Sequence, residues 1–137
     1  MPYELKESTE AIELTVSATS REELFRAALA GALEAAYGAQ VPEGSSEGRV
    51  VPVQAAGDTD DVLLAGLVDD ALRATSEEAG TLRPPRWLAF DEKRVTATLP
   101  LHSPKAPARS LLVARAEVST GDGGLAARVE LLLPVAG

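Results

Sequence analysis

Hydrophobic and polar positions first alternate over residues 11–17, AIELTVS, where Ile12, Leu14 and Val16 face one way and Glu13, Thr15 and Ser17 the other. A period of two marks a strand with one buried face. The period then lengthens. Between Arg21 and Tyr37, the residues Leu24, Phe25, Ala28, Leu29, Ala32, Leu33 and Ala36 recur at three- and four-residue spacing, which traces one stripe of a helix. Ser20 and Glu23 form a capping box at its start. Gly38 follows its end, where a left-handed conformation costs glycine nothing.

A second helix is predicted over residues 60–79, with Val62, Leu63, Leu67, Val68, Ala71 and Leu72 as its buried stripe and Asp58 or Asp60 as its cap. Between the helices, RVVPVQA reads as a strand with Val51, Val53 and Ala55 on one face. Pro52 has no N–H to donate, which places this strand at an edge or a bulge. After TLRPPR the pattern returns to short strands. WLAFDEKRVTATLPL predicts a hairpin turning at Asp91 and Glu92, and LLVARAEVS and LAARVELLLPV are joined by the turn TGDGG. A short further strand is expected at YEL. The order β-α-β-α-β-β-β-β predicts one α+β domain over residues 1–137, a two-layer sandwich with both helices packed on one face of a mostly antiparallel or mixed sheet.

Composition narrows this picture. Of the 137 residues, 45% are hydrophobic but only 4% aromatic, so Leu, Val and Ala must fill the core. No apolar run reaches the length of a membrane span. The charged start MPYELKESTE does not read as a secretory leader, and a cytoplasmic location is expected. The absence of Cys excludes disulfides and thiolate chemistry. A net charge of −8 argues against a surface given over to nucleic acid. The charge is uneven, however: residues 1–80 hold 16 of 21 acids and 5 of 13 bases. Arg83, Arg86, Lys93, Arg94, Lys105 and Arg109 follow within a short stretch. They are the candidate contacts for an acidic partner or for RNA phosphates.

Catalytic chemistry has little to draw on. His102, the single histidine, lies in PLHSPKAP and reads as a loop residue; no GxSxG elbow accompanies it. A small hydrolase built on His102 is therefore the weakest of the functional readings. TGDGG is flanked by strands, whereas phosphate-binding glycine loops open onto helices. The pairs Asp60/Asp61, Asp69/Asp70 and Glu77/Glu78 read as solvated helix acids. Trp87 in RPPRW reads as a core anchor of its strand before a base-stacking residue.

YELKESTEAIEL, SREELFRAALAGALEAA and VQAAGDTDDVLLAGLVDDAL together resemble the archease family. That family opens with an aromatic-acidic strand, a His-Thr-Ala-Asp-Ile motif, a second strand and a helix beginning Leu-Glu-Glu-(Leu/Ala)-Phe. A Val-x-(Ala/Gly)-x-Asp-x-x-x-Leu-Leu pattern leads into its second helix. The resemblance implies a small α+β protein that assists an RNA ligase joining broken tRNA ends. It also implies a Ca²⁺ or Mg²⁺ site made of acidic residues, among them the Asp of the first motif and one at the chain's end.

The departures fall on those residues. Ser8, Thr9, Glu10 and Ala11 stand where the family has His-Thr-Ala-Asp. Glu34 matches an acidic position late in the first helix, and Glu10 is one position from the lost Asp, on the opposite face if it belongs to a strand. LLVARAEVS lacks the family's Thr-Tyr-His, and LLLPVAG lacks its terminal Asp. Glu34 and Glu10 are left as the candidate metal ligands. The sequence thus supports a non-enzymatic, archease-like accessory protein for an RNA ligase or another RNA-processing protein. The alternative is a binding or scaffold domain on the same fold with a different partner.

Overall fold

The computed structural model describes residues 3–38, 45–85, 87–91, 93–103, 105–121 and 123–133. Among them the chain runs β1 (Tyr3–Glu7), β2 (Ala11–Ala18), α1 (Arg21–Tyr37), β3 (Ser45–Ala56), α2 (Asp60–Glu77), β4 (Thr81–Leu82), β5 (Trp87–Asp91), β6 (Arg94–Ser103), β7 (Leu112–Gly121) and β8 (Gly124–Leu132). The fold is α+β, as the pattern predicts, with the strands divided between two sheets. One sheet has the order β1-β2-β8-β7; in the other, β6 pairs with β3 on one side and with β4 and β5 on the other. Every pairing among the described residues is antiparallel. No helix among the described residues is long and apolar enough to cross a membrane.

The alternation in β2 places Ile12, Leu14 and Val16 in the core. Helix α1 lies on them at Gly31, where an added Cβ would come within 2.5 Å of Leu14 Cδ1. Helix α2 approaches β3 in the same way: a Cβ on Gly66 would stand 2.9 Å from that of Ala55. Small residues let a helix backbone come close to a sheet, and each helix has one at its contact. Pro52 lies on β3, an edge strand, and the register shift in that strand falls between Ser46 and Val50.

The helix ends are local decisions of the sequence. Ser20 Oγ accepts the Glu23 N–H at 3.2 Å, while the Glu23 carboxylate reaches back to Thr19. Gly38, at φ +89°, donates its N–H to Glu34 O at 2.7 Å. The cap of α2 is Thr59, whose Oγ1 accepts from Val62 N, rather than Asp58 or Asp60. Val62 also departs from expectation. It belongs to the first turn, beside Gly57, and is 51% exposed; the buried stripe begins at Leu63 and takes in Leu64 and Ala74.

The two helices are packed against each other, and the contacts at their ends give them the same polarity. At their N-termini, Arg21 of α1 bonds Asp60 Oδ1 of α2 through Nη2 at 2.6 Å and Nε at 3.0 Å. The Arg21 guanidinium lies 4.0 Å over the Phe90 ring, which meets Phe25 edge-on at 5.0 Å. Their C-termini are both reached by the segment that carries Lys105 and Arg109.

The acids of α2 have partners that the sequence reading did not foresee. Asp61 Oδ1 accepts the Val118 N–H of β7 at 2.7 Å, and Asp70 Oδ2 accepts the Gln54 N–H of β3 at 3.0 Å. Both strands are sheet edges. Two carboxylates of one helix therefore tie it to an edge of each sheet and occupy donors that an open edge would offer to another chain.

Leu29 and Leu67 lie fully buried, one on each helix. Leu29→Ala and Leu67→Ala are each expected to lower unfolding free energy by about 2–5 kcal/mol, the usual cost of a large core truncation. Urea melts measure this; a loss under about 0.5 kcal/mol, typical of surface sites, would contradict the packing.

Candidate functional site

The polar run between β1 and β2 is a turn. Ser8 N–H donates to Ala11 O at 2.8 Å, and Ser8 Oγ accepts from Ala11 N at 3.3 Å. Glu10 is exposed on this turn, not on a strand, so the argument from opposite strand faces does not apply to it. Pairing of β2 with β8 sets Ala11 opposite Leu132, and Leu133 N–H donates to Glu10 O at 3.0 Å. The first-motif position and the end of β8 thus meet at one corner; residues 134–137 lie outside the described residues.

Glu34 is half-buried in the last turn of α1 and accepts a hydrogen bond from Tyr3 Oη at 3.3 Å. It lines a cleft of about 250 Å³ with Tyr3, Leu33, Tyr37, Leu82 and Arg83. Tyr37 Oη accepts the Leu82 N–H at 3.0 Å. Burial raises the pKa of both phenols. For Tyr3 the negative charge of Glu34 and its hydrogen bond add to the effect; for Tyr37 the Leu82 N–H opposes it. These are the chain's two tyrosines, and the sequence reading gave neither a role in the site. The available signal was the i, i+3 spacing of Glu34 and Tyr37, which sets both on one helix face.

A hard dication takes six to eight oxygen ligands, several of them carboxylates. Glu10 sits on an exposed turn and Glu34 in the cleft beside Tyr3. Among the described residues no group of three or more His, Asp or Glu side chains is placed to hold a metal. The donor set among the described residues does not fit such an ion.

The five basic candidates among the described residues, Arg83, Lys93, Arg94, Lys105 and Arg109, do not share one patch. Lys93 and Arg94 lie at the β5–β6 hairpin, where Lys93 pairs with Asp58 at 3.3 Å. Arg83 donates its N–H to Pro100 O, six residues further along β6, a separation of roughly 20 Å along the strand. Lys105 Nζ reaches Ser76 O at 3.4 Å, near the end of α2. Arg109 crosses the end of α1: Nε and Nη2 donate to Ala35 O at 3.2 and 2.8 Å, its backbone N–H donates to Ala36 O, and Nη1 pairs with Glu7. Neither helix has a basic residue in its own last turn. Lys105 and Arg109 supply that charge from elsewhere in the chain, where a cation favours the negative end of the helix dipole. Arg86 lies outside the described residues, as does the Trp87 side chain. His102 is half-buried on β6, opposite Thr81, and is a strand residue rather than the loop residue expected.

The solution structure of Methanobacterium thermoautotrophicum protein 1598 has a similar fold, with a TM-score of 0.68 and 22% sequence identity over 96% of this chain and 99% of that one. No family model matches the chain, and no curated protein matches it.

Arg109→Ala should cost about 1–2 kcal/mol at low ionic strength, since it removes a charge-assisted cap from α1. Arg109→Lys should recover only part of this, because an ammonium lacks the planar fork that spans Ala35 O and Glu7. Urea melts of the three proteins test the assignment; equal stability of all three would refute it.

Proposed function

We propose that this protein is an archease-like accessory factor for an RNA ligase or a related RNA-processing enzyme, in which the acidic metal site of that family has been largely lost. The observation that carries the proposal is the corner formed by β2 and β8. The family's site is expected to draw acids from the first motif and from the end of the chain. Here the matching position, Ala11, pairs with Leu132, and Glu10 O holds Leu133 N–H. The fold brings the two segments together, and Ala11 offers no ligand. The full-length similarity in fold to the Methanobacterium protein is compatible with this reading.

The proposed action is docking rather than catalysis. Contact with an acidic partner, or with RNA phosphates, falls to Arg83, Arg86, Lys93 and Arg94, with weaker contributions from Lys105 and Arg109. A second reading is a binding domain that has exchanged its partner. It is favoured by the engagement of Lys105 and Arg109 at helix ends, which leaves less free positive charge for RNA.

An RNA ligase assayed with and without this protein, beside a binding measurement at two salt concentrations, tests the proposal. Binding that weakens with salt is expected, with little stimulation of ligation. Full stimulation would contradict loss of the acidic site's contribution. Absence of binding to ligase or RNA at low salt would remove the accessory reading in favour of a different partner.

A further inference from the structure

The cleft between β1, the end of α1 and the segment after β4 holds two opposite charges that do not pair. Glu34 and Arg83 both line it, both are half-buried, and no ion pair joins them to each other or to another described residue. Their backbones are fixed: Glu34 belongs to α1, and Arg83 N–H is held by Pro100 O at 2.9 Å. Tyr3 touches the carboxylate through its hydroxyl, and Tyr37 closes the floor with its hydroxyl held by Leu82. Leu33 and Leu82 supply apolar wall.

Two opposite charges that line one cleft of mixed polar and apolar surface without pairing are complementary to a molecule that carries both signs. We infer that this cleft binds a free α-amino acid. The ammonium is held by Glu34, the carboxylate is held by the Arg83 fork, and an aliphatic side chain lies against Leu33 and Leu82. A guanidinium favours a carboxylate because its planar donors match the two oxygens. The volume, about 250 Å³, lies below the roughly 300–1,000 Å³ common for drug-sized ligands and accommodates an amino acid. The site shares Arg83 with the proposed docking residues but lies apart from the basic hairpin and the β2–β8 corner, and titration with free amino acids tests it without ligase or RNA.

Isothermal titration of the full chain with each of the common amino acids tests the inference, using L-leucine, N-acetyl-L-leucine and L-leucinamide as the diagnostic set. L-leucine should bind. Acetylation removes the cation and amidation removes the anion, and each should weaken binding at least about tenfold, the loss of one charged contact. Glu34→Gln and Arg83→Gln, checked for unchanged thermal unfolding, should do the same. The derivatives probe the unmodified protein, so the result does not depend on either variant folding. Lack of binding by every amino acid, or equal binding of leucine and its two derivatives, would overturn the inference. So would tight binding of Ca²⁺ or Mg²⁺ alone that is lost in Glu34→Gln, which would make the carboxylate a metal ligand instead.

Discussion

Two helices packed side by side with the same polarity add their dipoles, and the rest of this structure is arranged around that constraint. Each helix is 17 or 18 residues long, about 25–27 Å, so the like ends lie far from the ends that could neutralise them. Antiparallel neighbours would cancel; these must be compensated from outside. At the N-terminal end Glu22, Glu23, Asp60 and Asp61 provide negative charge, and the Arg21–Asp60 pair fastens one helix start to the other. At the C-terminal end the cations come from the segment between β6 and β7, which also donates Ala106 N–H to Thr81 Oγ1 at 2.7 Å. That connection behaves as a clasp closing the end of the helix pair.

The helix pair also explains how two sheets share one core. α1 rests on β2 through Gly31, and α2 rests on β3 through Gly66 while reaching β7 through Asp61. The second helix, like the first through Glu34 and Tyr37, touches both sheets with hydrogen-bonding side chains. Its leucines provide the apolar surface, and its acids fix its position against the two edges. Burial is non-directional, so the leucines alone would not set that position. The carboxylate bonds to Val118 and Gln54 do.

Much of this was legible along the chain. The period-two run at Ile12, Leu14 and Val16, the helical stripe from Leu24 to Ala36 and the turn at TGDGG each reflect local rules, and the corresponding elements are present. What could not be read depends on contacts between distant residues. Val62 fits a helical stripe by spacing, but its place in the first turn leaves it exposed. Asp61 and Asp70 look like solvated acids until the edge strands that they meet are known. Arg109 looks like part of a basic stretch, yet it lies across the end of a helix some seventy residues away in sequence. The candidate site was legible in part: Glu34 was singled out, while Tyr3 and Tyr37 were not, because their convergence is a product of the fold.

The claim that the helix starts are joined is tested most directly by a double-mutant cycle of Arg21→Ala and Asp60→Ala, read from urea melts at low ionic strength. Both side chains are about one-third exposed, so the pair alone is worth little; the stacking of Arg21 on Phe90 holds its guanidinium in place and limits the entropy lost. A coupling energy of about 0.5–1 kcal/mol is predicted. Additivity within about 0.3 kcal/mol would show that the two residues act independently and would contradict the joined, parallel helix pair.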